Sequence, residues 1–220
     1  MIRKNAYFLA PFVIALMIGA YLLLTNEKGI FILYFAIERK SLIDNVFMWI
    51  TRFGEIGVYG VFALLFLLIR FRYTLLIALL GFVNLVLSLA LKTYFACPRP
   101  GHVYWMKEYD GEISYIPGLD VNVGTTSSFP SGHTLSAFSL YFFVALLLKN
   151  KQWGLPLFII ALLVGISRIV LTQHFLSDVY AGAICGVLIA MAVYALQRLI
   201  PISPDRLIDK NLRYYIGEKP

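Results

Sequence analysis

The chain has 220 residues, of which 60% are hydrophobic and only 14% are charged, and its mean hydropathy is +0.79. A soluble domain of this length is usually about half apolar, so the long uncharged runs indicate a polytopic α-helical membrane protein. The net charge of +7 does not indicate a nucleic-acid partner, because the basic residues stand singly or in pairs at the ends of apolar runs, where they suit membrane topology and contact with anionic lipid.

Six apolar segments follow one another along the chain, and each is predicted to be a membrane-spanning helix of an all-α protein. They cover, approximately, residues 6–24, 54–69, 73–91, 133–148, 153–171 and 179–199. The second and fourth are short against the ~20 residues that a span requires, so we expect their outer ends to include less apolar turns. Because the sequence has no internal repeat and no low-complexity tract, residues 1–220 are predicted to form one domain.

The parts of the chain outside these segments carry weaker signals. No cleavable signal peptide is expected at the N-terminus, and no disulfide is expected between Cys97, in a loop, and Cys185, within an apolar run. Residues 25–53 are predicted to be either a helix lying in the membrane interface or an ordinary packed loop. Within residues 101–129, His102 and the charges that follow it either contact a lipid headgroup or belong to a solvated loop, and we favour the loop.

The distribution of Lys and Arg predicts the orientation of the chain. If the N-terminus is cytoplasmic, six spans place eleven basic and three acidic residues on the cytoplasmic side, against eight basic and nine acidic residues on the other side. Cytoplasmic loops of membrane proteins are enriched in Lys and Arg. Both termini are therefore predicted to be cytoplasmic.

Three short clusters of polar residues then fall on the outer face. They are Lys92 with Arg99-Pro100, then Pro130-Ser131-Gly132-His133, and finally Ser167-Arg168 with His174 and Asp178. His174 and Asp178 are one helical turn apart, so the carboxylate can hold one imidazole nitrogen and leave the other as an electron-pair donor. Taken singly, each cluster has an ordinary alternative: a snorkelling lysine, a turn, a helix start or an interfacial ion pair.

Together the three clusters have the chemistry of a phosphate site. The three cations include two planar guanidinium groups, which suit oxyanions. Ser131 and Gly132 immediately precede an apolar helix, whose N-terminal backbone N–H groups favour an anion. His133 and His174 supply an acid and a nucleophile. This combination indicates phosphoryl chemistry at the membrane surface.

The three clusters can be written as motifs with fixed spacing: Lys92-x6-Arg99-Pro100, Pro130-Ser131-Gly132-His133 and Ser167-Arg168-x5-His174-x3-Asp178. They resemble the three-part signature of the type 2 phosphatidic acid phosphatase (PAP2) superfamily at every signature position. The resemblance implies a mechanism without a metal or other cofactor. It implies that His174 attacks phosphorus to form a phosphohistidine, that Asp178 orients His174, and that His133 protonates the departing oxygen and then assists water. It also implies that the phosphoryl oxygens are held by Lys92, Arg99, Ser131, Gly132 and Arg168.

The same resemblance implies a lipid phosphatase, and the small size and short tails of the chain look more like bacterial than animal members. The distribution of Lys and Arg predicts an active site that faces the periplasm or the outside of a bacterial inner (cytoplasmic) membrane. The expected partners are membrane lipids and a phosphorylated lipid substrate. That substrate is undecaprenyl pyrophosphate, phosphatidylglycerol phosphate, phosphatidic acid or a lipid A phosphate, and we expect residues 25–53 and 101–129 to select among them. The sequence makes no prediction of the oligomeric state.

Four alternative functions remain open at this stage. A zinc hydrolase using His102, His133 and His174 is disfavoured, because no HExxH-type spacing occurs and three nearby cations would repel the metal. A vanadate-dependent haloperoxidase shares the signature, but those relatives are soluble. A lipid phosphotransferase would use the same phosphohistidine. A non-catalytic transporter or scaffold is disfavoured, since the inner halves of the spans hold few ionisable groups and no pair of interrupted helices is predicted.

Overall fold

The computed structural model describes residues 3–37, 39–106, 127–199 and 206–210, together with the single residues 116, 119, 201 and 203. Within these residues the regular structure is helical and contains no β-strand, which confirms the predicted all-α class. The α-helices are α1 Ala6–Thr25, α2 Ile30–Ile37, α3 Ser41–Thr51, α4 Ile56–Leu67, α5 Phe71–Phe95, α6 Pro100–Met106, α7 Gly132–Leu147, α8 Gly154–Val170 and α9 Leu176–Gln197.

The six predicted apolar segments correspond to α1, α4, α5, α7, α8 and α9. Four of them, α1, α5, α8 and α9, are long and apolar enough to cross a membrane. Helix α4 reaches that length only together with α3, in a pair bent by 52°, and α7 has only 16 residues. The described residues therefore belong to an integral membrane protein with four or five spans by length and composition.

The connection formed by residues 25–53 contains two helices, α2 and α3, so it is helical and is not an ordinary loop. One side of α3 carries the exposed apolar side chains Leu42, Val46 and Trp49 at helical spacing, and its other side packs on α8. The bend between α3 and α4 was not predicted, because residues 25–53 were assigned to a connection and residues 54–69 to a separate span. It is a single bent pair among the described residues, whereas transporters pair two interrupted helices in corresponding halves.

Helix α7 lies at the centre of the bundle and packs against α5, α8 and α9. Nearly every residue from Thr134 to Leu146 is buried, as expected for a helix that is apolar on all sides. Phe138 and Phe142 of α7 meet Phe8 of α1 at centroid distances of 6.5 and 4.8 Å. Because protein surrounds α7, its first turn is fixed relative to the helices that carry the other two sequence clusters.

Helices α7 and α9 approach each other through glycine. A Cβ atom added to Gly182 would lie 2.7 Å from the carbonyl oxygen of Ser131, and one added to Gly186 would lie 2.5 Å from that of Leu135. Small residues four positions apart commonly allow such close helix contacts in membranes. This contact sets the distance between the start of α7 and the start of α9.

Two smaller predictions concern the loops and the cysteines. Cys97 and Cys185 are both free thiols, as predicted. His102 lies in α6, whereas most of residues 107–126, with the charges predicted to be a solvated loop, lie outside the described residues.

Candidate active site

Hydrogen bonds join the three sequence clusters into one site. The backbone N–H of Ser128 donates to the carbonyl of Cys97 at 2.7 Å, which ties the second cluster to the first. The N–H of Ser131 donates to the carbonyl of Asp178 at 3.0 Å, which ties the second cluster to the third. The structure therefore brings together the start of α7, the start of α9 and the segment that follows α5.

The start of α7 forms one wall of the site. Lys92 on α5 places its Nζ 3.7 Å from the position that a Cβ on Gly132 would occupy, and Ser88 Oγ is 3.3 Å from that position. Glycine at this point leaves room for a ligand between the helix N-terminus and the lysine. Ser131 is also in the site, but its hydroxyl already shares a hydrogen bond of 2.8 Å with that of Thr134.

Two guanidinium groups complete the positive cluster. Arg168 is only 7% exposed; its Nη1 donates to Thr51 Oγ1 at 2.7 Å, and its Nε has no partner. Arg99 Nη1 donates to Gln173 Oε1 at 3.2 Å, and its Nε is also buried without a partner. Buried N–H groups without an acceptor are costly, and those of a cation more so. An anion bound between the two guanidinium groups would satisfy them.

The loop between α8 and α9 presents His174 to this cluster. After α8 ends, the N–H groups of Gln173 and His174 both donate to the carbonyl of Arg168, at 2.9 and 3.1 Å, so the chain folds back beside that arginine. His174 is 2% exposed, and burial lowers its pKa to about 4, although the neighbouring Asp178 opposes the shift. The imidazole is therefore neutral at pH 7 and keeps a lone pair for attack.

Asp178 occupies the first turn of α9 and accepts several hydrogen bonds. Its Oδ2 lies 3.5 Å from His174 Nδ1, accepts the N–H of Phe175 at 3.0 Å and accepts a short hydrogen bond from Ser128 Oγ. Its Oδ1 accepts from Ser177 Oγ at 3.2 Å. These donors hold the carboxylate beside His174. The predicted helical spacing of the pair is wrong, because α9 begins at Leu176 and His174 lies in the loop before it.

His133 lies in the first turn of α7, within electrostatic range of His174 and of the three cations Lys92, Arg99 and Arg168. Every residue predicted for the site is thus found in one cluster. His102 is not one of these residues, and its Nδ1 is buried without a hydrogen-bond partner. His102, His133 and His174 do not form a group that could hold a metal ion.

Residues 70–200 match a family model described as PAP2 superfamily. The chain belongs to the PAP2 superfamily. It is similar to the undecaprenyl-diphosphatase BcrC of Bacillus subtilis (strain 168), with 25% identity over 178 residues, which cover 78% of this chain and 83% of that protein. It is also similar to the lipid A 4′-phosphatase of Porphyromonas gingivalis, with 30% identity over 103 residues, which cover 47% of this chain and 41% of that protein.

Two solved structures share the fold. The transmembrane PAP2 type phosphatidylglycerolphosphate phosphatase from Bacillus subtilis superposes with a TM-score of 0.64 at 24% identity, over 94% of this chain and all of that chain. Aquifex aeolicus LpxE superposes with a TM-score of 0.60 at 25% identity, over 74% of this chain and 92% of that chain.

Four residues outside the PAP2 signature also shape the site. They are Thr51, Ser88, Ser128 and Gln173. Thr51 lies 117 positions before Arg168, so no local pattern could connect the two. Ser128 precedes the second motif by two positions but bonds to the third, which only the folded chain reveals. The close approach of α9 to α7 did have a sequence signal, the glycines four positions apart at Gly182 and Gly186.

Proposed function

We propose that the chain hydrolyses a phosphate or pyrophosphate ester of a lipid at the outer surface of a bacterial inner membrane. One observation carries the proposal: buried guanidinium nitrogens of Arg99 and Arg168 lack acceptors beside a neutral, buried His174. An anion would satisfy both nitrogens, and His174 would lie beside it as a nucleophile. A phosphoryl group meets both requirements.

In this proposal the side chains divide the reaction between them. The lone pair of His174 Nε2 forms a P–N bond while the bond from phosphorus to the leaving oxygen breaks. His133 gives its proton to that oxygen and then takes a proton from the water that cleaves the P–N bond, which returns the enzyme to its starting state. The phosphoryl oxygens are held by Lys92, Arg99, Ser131, Gly132 and Arg168.

We also propose six spans, both termini in the cytoplasm and a single domain over residues 1–220. The site residues support a common side, since they lie near the end of α5, the start of α7, the end of α8 and the start of α9. Under an alternating topology these four helix ends share one face of the membrane. The excess of Lys and Arg in the other connections makes this the outer face. The second span is then formed by α3 and α4 together, since only the bent pair reaches the length of a span.

The substrate that we propose to test first is a polyprenyl pyrophosphate. Sequence similarity to an undecaprenyl-diphosphatase covers 78% of this chain, and a pyrophosphate ester suits a site with three cations. Phosphatidylglycerol phosphate, phosphatidic acid and lipid A phosphates are the other candidates. A phosphotransferase is the second candidate function, because a phosphohistidine can be attacked by a lipid or sugar hydroxyl as well as by water.

Purified protein in detergent tests these proposals against a panel of the four lipid classes. We expect inorganic phosphate release from at least one lipid, and His174→Ala and His133→Ala should abolish it while still inserting into the membrane. Labelled phosphate that appears on an acceptor lipid instead of in solution would identify a phosphotransferase. Full activity of His174→Ala would contradict the mechanism, and inactivity of the wild type on every lipid would favour a non-catalytic transporter or scaffold.

A further inference from the structure

Ser128 lies between the two residues expected to form the catalytic pair. Its side chain is fully buried, and its Oγ is 3.2 Å from His174 Nδ1 while it also bonds to Asp178 Oδ2. The direct distance from His174 Nδ1 to Asp178 Oδ2 is 3.5 Å. Hydrogen bonds from nitrogen to oxygen normally span 2.7–3.2 Å. The hydroxyl is therefore within hydrogen-bond distance of both groups, whereas the direct contact between the imidazole and the carboxylate is longer and weaker.

The hydrogen atoms can be assigned from this geometry. An ionised carboxylate only accepts, so Ser128 must use its single proton to donate to Asp178. The serine oxygen can then only accept from His174, which requires the proton of the neutral imidazole to be on Nδ1. Nε2 is left with the lone pair. The hydroxyl thus selects the tautomer that can attack phosphorus.

The surrounding bonds fix Ser128 and Asp178 in these positions. The N–H of Ser128 donates to Cys97 O, and Asp178 Oδ2 also accepts from the N–H of Phe175. Neither group can turn away without losing a buried hydrogen bond. The adjacent Ser127 is equally buried, but its hydroxyl bonds only to the carbonyl of Phe129, at 3.4 Å. Ser127 is therefore a matched control for Ser128.

We propose that Ser128 is a positioning residue that links His174 to Asp178 and sets the Nδ1–H tautomer of the nucleophile. When Nε2 bonds to phosphorus, the ring becomes positively charged and its Nδ1 proton stays in place. The hydrogen bond to Ser128 then becomes charge-assisted, and Asp178 stabilises the charge through the hydroxyl. The catalytic consequence rests on the proposed phosphohistidine mechanism, whereas the tautomer assignment does not.

The tautomer can be read from ¹⁵N NMR spectra of the protein labelled at its three histidines, with the His174 signals assigned by their loss in His174→Gln. We expect the Nδ1–H form in the wild type and in Ser127→Ala. Ser128→Ala should shift the ring toward the Nε2–H form, and Ser128→Thr, which keeps the hydroxyl, should restore the Nδ1–H form. An Nε2–H ring in the wild type, or an unchanged Nδ1–H ring in a folded Ser128→Ala protein, would overturn the proposal.

Kinetics on the lipid that is turned over best provide the second test. We expect Ser128→Ala to lower kcat by roughly 10- to 100-fold, the range for losing one buried hydrogen bond, with KM changed less than about twofold. Ser127→Ala should retain wild-type kcat. Ser128→Ala combined with Asp178→Asn should lose no more than the more damaging single variant, because the two groups act through one chain of bonds. Losses that multiply would contradict the link.

The two tests separate the proposal from the function on which it builds. If Ser128→Ala changes the tautomer but the wild type forms no phosphohistidine, the hydrogen-bond assignment stands and the proposed mechanism fails. If the phosphohistidine forms and the tautomer does not depend on Ser128, the mechanism stands and this inference fails.

Discussion

Replacing Gly182 with alanine is expected to disturb the site without touching any reactive group. The added Cβ would lie 2.7 Å from the carbonyl oxygen of Ser131, and also 3.3 Å from Leu135 N and from Thr134 Cβ. An ordinary contact needs about 3.4 Å, so α9 must move away from α7 by about 0.7 Å. Because the nearest atom is a backbone oxygen at the start of α7 and a Cβ atom is fixed to its backbone, no side-chain rotation can relieve the clash.

The cost of this movement can be separated from the effect of alanine on the helix. Overpacking of this kind costs about 1–3 kcal/mol, whereas alanine in place of glycine stabilises a helix by about 0.5–1 kcal/mol. Gly60→Ala in α4 measures the second effect alone, since nothing lies within 4 Å of its added Cβ. In a thermal melt in detergent, Gly182→Ala should therefore unfold roughly 2–12 °C below Gly60→Ala.

The same movement should reduce activity. Ser131 carries both the carbonyl that the added Cβ meets and the N–H that donates to the carbonyl of Asp178. Moving α9 away from α7 therefore displaces Asp178 from His133 and from the phosphate-holding groups. Misplacement of reacting groups by about 1 Å can cost up to ~100-fold in rate. We expect kcat of Gly182→Ala to fall by roughly 10- to 100-fold, with Gly60→Ala unchanged. Equal melting temperatures and equal kcat for the two variants would refute the close-packing explanation.

Three further predictions concern Arg168, His174 and metal ions. Thr51→Val should lower kcat/KM about tenfold, because Arg168 loses the hydroxyl that accepts its hydrogen bond of 2.7 Å. The control Thr25→Val, at the exposed end of α1, should leave kcat/KM unchanged, and equal effects of the two variants would contradict the role of Thr51. Burial lowers the pKa of His174 to about 4, below ~6.5 in the unfolded chain, so the unfolded state binds the proton first. His174 should therefore contribute a fall of up to about 3 kcal/mol in the free energy of unfolding between pH 6.5 and 4. The fall measured for His174→Gln should be smaller than that of the wild type by this contribution, and an unchanged pH profile would speak against the assigned shift. Phosphate release should be unchanged by EDTA, and loss of activity that a divalent metal restores would favour a metallohydrolase.

The site could be predicted from the sequence as far as its groups follow local rules. The start of α7 at Gly132, beside an apolar run, is one such feature, and the structure begins α7 at that residue. The helical spacing of His174 and Asp178 is not, because α9 begins at Leu176 and His174 lies in the loop before it, so the two side chains meet through the fold of that loop. The resemblance to the PAP2 signature predicted that the three sequence clusters form one site.

The remainder of the site depends on contacts between distant segments. Thr51 meets Arg168 across 117 positions, and Ser128 meets Asp178 across 50, so neither pair leaves a periodic pattern in the sequence. Residues 25–53 were ambiguous for a related reason. An apolar stretch of eight to eleven residues fits a loop or a short helix equally well until its packing partner, here α8, is known.

The fate of the phosphoryl group tests the proposed mechanism most directly. Protein would be mixed with ³²P-labelled lipid substrate, quenched in alkali, which preserves phosphohistidine, and digested to locate the label. Label on His174 that appears within a turnover and decays as inorganic phosphate is released is the expected result, with none bound to His174→Ala. Steady turnover of substrate with no label on His174 at any time, or label at another residue that turns over at the catalytic rate, would contradict His174 as the nucleophile.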